Sequence, residues 1–61
     1  MKRNDLIKKI TFAGCILLRH GHRHDLYSNP KTGKQQPVPR HNEIDEILAK
    51  HIIKELTQQA I

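Results

Sequence analysis

CILLRHGHRHDLYSNPKTG, residues 15–33, is the stretch on which the fold turns. Its opening, Cys15 to His20, is short, largely apolar and bounded by Gly14 and Gly21, which predicts a strand. Gly21-His22-Arg23 reads as a turn and His24 to Ser28 as a second strand, so the two make a hairpin. Asn29-Pro30-Lys31-Thr32-Gly33 is a further turn, with Pro and Gly at positions that turn chemistry favours. Lys34 to Val38 predicts a third strand. Pro37 has no N–H to give to a ladder, so this strand belongs at an edge or ends early, and Pro39 stops it.

Helical patterns flank this core on both sides. Upstream, Asn4 is a good N-cap and Asp5 suits a first turn. Leu6, Ile7, Ile10 and Ala13 follow at helical spacing, predicting an amphipathic helix over about residues 5–13, with Phe12 in its core and Gly14 as terminator. Downstream, Asn42 is the expected cap of a second helix, and Glu43, Asp45 and Glu46 complement its N-terminal dipole. Ile44, Leu48, Ile52 and Leu56 repeat at four-residue steps, Ala49 and Ile53 widen the stripe, and Glu46 and Lys50 form a favourable pair. This helix is expected to run to about Gln58. The order α-β-β-β-α predicts an α+β two-layer sandwich, a three-stranded antiparallel sheet with two helices on one face, as in a double-stranded-RNA-binding domain.

The chain has 61 residues, which suits a single domain over 1–61. A domain of this size buries only about 60% of the surface its unfolded chain exposes, so its stability is marginal. One cysteine, Cys15, excludes an intramolecular disulfide, and a reducing, cytoplasmic setting is the natural reading. The formal charge is +5. The excess lies in residues 1–34, where Lys2, Arg3, Lys8, Lys9, Arg19, Arg23, Lys31 and Lys34 face only Asp5 and Asp25. A localised basic excess points to a polyanion, most often nucleic acid, against the plainer reading of a basic solvated surface. The longest apolar run, Cys15 to Leu18, falls far short of the ~20 residues a membrane span needs. Phe12-Ala13-Gly14-Cys15 looks like a lipoprotein cleavage site, but Asp5, Lys8 and Lys9 interrupt the place of its apolar region, so the chain is expected to be intact and soluble.

Several pieces in order resemble the HicA toxins of bacterial HicA–HicB toxin–antitoxin systems. They are GHRHDLYSNP at residues 21–30, KTG at 31–33 and VPRH at 38–41, together with the opening NDLIKKI and the closing Leu48-Ala49 and Ile52-Ile53-Lys54-Glu55-Leu56. The resemblance implies a double-stranded-RNA-binding-like fold and an endoribonuclease that cuts messenger RNA without a cofactor. It also implies a HicB-like antitoxin covering the active site, with operator DNA reached only through the antitoxin complex. The family's catalytic histidine follows a glycine-containing turn at the start of the second strand, which is His24 here. The residues before that histidine are usually small in the family, whereas this chain has His22 and Arg23. His22 is therefore a rival or helper.

A histidine suits this chemistry. RNA carries its own nucleophile, the 2′-OH, and an imidazole titrating near neutral pH can take or give the protons that move. Arg23, Arg40 and His41 are candidate helpers, the arginines as fixed charge for the phosphorane-like state. Lys8, Lys9, Arg19, Lys31 and Lys34 are candidate RNA contacts, although Lys8 and Lys9 also read as the wet face of a helix. No carboxylate cluster suits Mg²⁺, since Asp25 stands alone in the strands.

Plainer readings stand beside these. His20, His22 and His24 alternate as zinc ligands sometimes do, but Gly21 interrupts the strand and no further Cys or His completes a set. His41 also reads as a backbone partner near the helix start, and His51 as solvated. Cys15 is a small buried hydrophobe, and Tyr27 is either core or contact. A non-catalytic RNA-binding module and a pure protein-interaction subunit are the competing functions.

Overall fold

The computed structural model describes residues 1–58. Helix α1 spans Arg3–Phe12, strands β1, β2 and β3 span Ile16–His20, His24–Asn29 and Lys34–Pro39, and helix α2 spans Glu46–Thr57. The strands form one antiparallel sheet in the order β1-β2-β3. This is the α-β-β-β-α arrangement expected from the sequence, with Pro37 on an edge strand as its missing N–H requires.

The core joins Leu6 and Ile10 of α1, Cys15, Tyr27 of β2, Val38 of β3, Ile44, and Ala49, Ile52 and Leu56 of α2. Tyr27 is therefore core. Tyr27 and Val38 give the sheet a helix-facing side. Asn29, two residues from Tyr27 and so on the same side, donates its Nδ2 to Leu56 O at 2.7 Å, where the pair is buried. His24, Leu26 and Ser28 alternate onto the other side of β2.

Turn chemistry follows the sequence closely at two glycines. Gly14 has φ +99°, its N–H goes to Thr11 O at 3.0 Å and that of Cys15 to Ile10 O at 2.9 Å. This is the paired closure that ends a helix on a left-handed glycine. Gly33, at φ +74°, closes the β2–β3 turn by donating to Asn29 O at 2.8 Å.

Both helix starts differ from expectation, and one cause accounts for the two. Residues 1–2 pair antiparallel with residues 43–44: Lys2 bridges Glu43, Ile44 N donates to Met1 O at 2.8 Å and Arg3 N to Asn42 O at 2.9 Å. The first N–H of α1 is thus satisfied by a distant carbonyl. Lys2, not Asn4, is the N-cap, and it makes no side-chain cap bond. Asn42 is used in the same pairing, so the cap of α2 passes to Asp45, whose Oδ2 accepts from Ile47 N at 3.1 Å and Leu48 N at 3.3 Å. Ile44 is buried just ahead of the helix, and the buried stripe of α2 is Ala49, Ile52 and Leu56, with Leu48 at its half-exposed edge. The carboxylate of Glu46 reaches the Met1 ammonium at 2.9 Å.

Phe12 is also corrected. It is 96% exposed, because it lies about 200° round the helix from Ile10 and faces away from the Leu6–Ile10 stripe. Cys15 is buried as expected, and burial pushes its thiol pKa up.

Strand β1 carries a bulge. Ile16 pairs with Ser28 and Leu17 with Tyr27, but the next pair is Arg19 with Leu26 and then His20 with Asp25. Leu18 is the extra residue. It shifts everything after it by one position, so His20 lands opposite Asp25 rather than opposite His24.

Candidate active site

The site is built on the β1–β2 hairpin end, where β3 also finishes. His24 opens β2 and pairs with Pro39, the last residue of β3. The chain therefore delivers Arg40 and His41 next to it. An open groove results, lined by Arg23, His24, Arg40 and His41. Of the residues singled out from sequence, these four come together. His22 is exposed at the hairpin tip and is not part of the groove lining.

The hairpin is tight. Gly21 N donates to His24 O at 2.7 Å, and a Cβ added at Gly21 would stand 2.9 Å from that oxygen. Glycine is required here by proximity. Arg23 adopts φ 67°, the left-handed region that a non-glycine residue enters at a cost. A strained basic residue thus sits beside the candidate histidine.

Behind the groove lies a carboxylate that the sequence reading left alone in its strand. Asp25 is buried on the helix-facing side of β2. Its Oδ2 accepts from Arg3 Nη2 at 2.8 Å, while its Oδ1 accepts from Arg40 Nε at 2.9 Å and lies 2.8 Å from His20 Nδ1. Arg3 is itself held by Pro39 O, to which its Nε donates at 2.8 Å. The His20 hydrogen bond, and then the hydrogen bond and charge of Arg40, hold the Asp25 carboxyl below its ordinary range, against burial, which works the other way. Arg40 extends the network forward, donating from Nη2 to Gly21 O at 2.7 Å and, more weakly, to His24 O at 3.5 Å.

Asp25, Arg3 and His20 are the residues that sequence reasoning missed as a unit. The available signal was the alternation on β2 that turns Asp25 to the same side as Tyr27. A carboxylate facing a core demands cationic partners.

The remaining basic candidates lie elsewhere. Lys31 and Lys34 flank the β2–β3 turn, at the opposite end of the sheet from the groove. Lys8 and Lys9 are exposed on α1, and Arg19 is exposed on β1, paired with Leu26 and so on the sheet side that His24 faces. A second recess, lined by Lys2, Arg3, Asn4, Asn42 and Glu43, has its Arg3 guanidinium committed to Asp25. Among the described residues, no group of three or more His, Cys, Asp or Glu side chains is placed to hold a metal ion. His20 and His24 alternate onto opposite sides of the sheet, and His20 is bonded to Asp25, which sets aside the three-histidine zinc reading. No helix among the described residues is long and apolar enough to cross a membrane.

A small basic domain with a histidine–arginine groove on a three-stranded sheet fits the toxin class of bacterial toxin–antitoxin systems, and the family model described as HicA toxin of bacterial toxin-antitoxin matches residues 3–57. The chain belongs to the HicA toxin family. Comparison with curated proteins and with solved structures returned no match.

Proposed function

We propose that the chain is a single-domain, metal-independent endoribonuclease that cuts messenger RNA through His24 in the bacterial cytoplasm and is silenced by a HicB-like antitoxin. The observation that carries this reading is the convergence of His24 with Arg23, Arg40 and His41 on one groove. His24 takes the proton from a ribose 2′-OH, and the freed oxygen attacks the adjacent phosphorus. Arg23 and Arg40 hold the extra negative charge as it develops. The 5′ oxygen leaves with a proton, from His24 in its acidic form or from His41 across the groove, and a 2′,3′-cyclic phosphate remains.

Lys8, Lys9, Arg19, Lys31 and Lys34 lie outside the groove and serve as phosphate contacts along a longer RNA, so binding weakens steeply with salt. The antitoxin offers carboxylates to the same basic groove. Operator DNA is met only through the complex.

The experiment is cleavage of a defined messenger RNA by purified chain in EDTA, with end-group analysis, for wild type and His24→Ala. Cyclic phosphate ends from wild type, with a loss of about 10²–10⁴-fold in the variant, are expected. Strict Mg²⁺ dependence with 3′-OH ends overturns the mechanism. RNA bound but never cut favours a binding module of the same fold.

A further inference from the structure

The Asp25 carboxylate is fully engaged. Arg3 takes Oδ2, and Arg40 and His20 share Oδ1. With two permanent cations on it, this group is in no state to take a proton from a substrate. Nor is stability a sufficient reason for it, since burying an ion cluster returns little net free energy. Its geometry does accomplish one thing at the groove. Arg40 is 46% exposed at its side chain, and its guanidinium is clamped along two edges, by Asp25 behind it and by the Gly21 carbonyl beside it. The same Nη2 also reaches the His24 carbonyl.

We propose that Asp25 is the positioning residue of the groove: through Arg40 it holds both the guanidinium that meets the scissile phosphate and the hairpin carbonyls beneath His24. The proposal rests on the ribonuclease reading. It assigns Asp25 no contact with RNA. A planar guanidinium is required at Arg40, because a lysine ammonium is a point charge that cannot bond carboxylate and carbonyl as a fixed fork.

The test combines a spectroscopic and a kinetic arm. By NMR, the Arg40 Nε–H should exchange slowly with water in the wild-type chain and rapidly in Asp25→Asn. In cleavage assays, Asp25→Asn and Arg40→Ala should each lower kcat on the order of 10- to 100-fold, and the double variant should be no worse than the poorer single one. KM for RNA should stay close to wild type in Asp25→Asn, which removes no charge facing the substrate. Losses that multiply in the double variant overturn the proposal, as does equal Arg40 Nε–H exchange in wild type and Asp25→Asn. If Asp25→Asn does not fold, Arg40→Lys decides: a loss matching Arg40→Ala supports the clamp, and full activity overturns it. Should the wild-type chain cut no RNA, the ribonuclease reading fails separately, while protection of the Arg40 Nε–H still supports the positioning and its absence still overturns it.

Discussion

His20 stands directly across the β1–β2 ladder from Asp25, with its Nδ1 2.8 Å from Asp25 Oδ1. That bond is the largest cause of the lowered Asp25 pKa. A carboxyl whose folded value lies below its ordinary 3.8 adds stability that is present above that value and lost as pH falls through the lower one. Urea midpoints measured between about pH 2 and 5 should therefore drop with acid, and drop less in Asp25→Asn. Glu46, lowered by the Met1 ammonium, titrates in both proteins, so the difference isolates Asp25. In His20→Ala the folded value moves back toward the ordinary one, so the acid-induced loss should be smaller and complete at higher pH. An unchanged acid profile in both variants would show the network to be energetically silent.

Arg23→Gly separates folding from activity. The left-handed backbone costs an ordinary residue about 1–2 kcal/mol, and glycine's greater freedom in the unfolded chain returns about 0.5–1 kcal/mol of that. Urea unfolding should show stability unchanged or slightly raised. RNA cleavage should fall at least about tenfold, because the groove loses a fixed charge. A variant that is clearly less stable than wild type contradicts the strain assigned to Arg23.

Gly21→Ala should act through crowding. The new methyl meets the His24 carbonyl, and that oxygen is backbone, so the hairpin has to open. Overpacking of this kind costs about 1–3 kcal/mol. Thermal unfolding should register the loss, and cleavage should fall more than a stability change alone explains, since His24 and the Arg40 anchor move together. Wild-type cleavage by Gly21→Ala would mean the turn geometry is not used.

Asn29→Asp tests the other end of the sheet. The amide bonds Leu56 O through its Nδ2, and its Oδ1 accepts from Lys31 N at 3.0 Å. A carboxylate has no donor for the buried carbonyl. The expected loss is about 1–3 kcal/mol, a fall in Tm of about 4–8 °C per kcal/mol in a domain of this size. Cleavage measured well below the new Tm should be unaffected, as the groove lies at the far end.

What the sequence made legible was local. Gly14, Gly21 and the Asn29–Gly33 turn punctuate the chain, and all five elements follow with ends shifted by at most three residues, the largest shift being the start of α2. His24 was reachable because a resemblance pointed to it, and Arg40 and His41 because they follow directly on the third strand. The hub around Asp25 was not, because its partners stand 22 residues before it, 5 before it and 15 after it, and no periodicity links such positions. The caps at Asn4 and Asn42 failed for a related reason: local propensity lost to a pairing between two distant segments. Phe12 differs again: it is exposed because its angle from Ile10 takes it off the buried stripe, whatever its apolar character.

The extra residue in β1 makes the site depend on length as well as on chemistry. Removing Leu18 would straighten β1 and leave Arg19 opposite Leu26 and His20 opposite Asp25, so the hub tolerates its loss. Pairing Leu18 within the ladder would instead bring Arg19 opposite Asp25 and turn the His20 imidazole to the far side of the sheet. The strand can therefore shed its bulge but not absorb it. A residue inserted between Arg19 and His20 would push His20 one step past Asp25 and disarm the hub with every member still present.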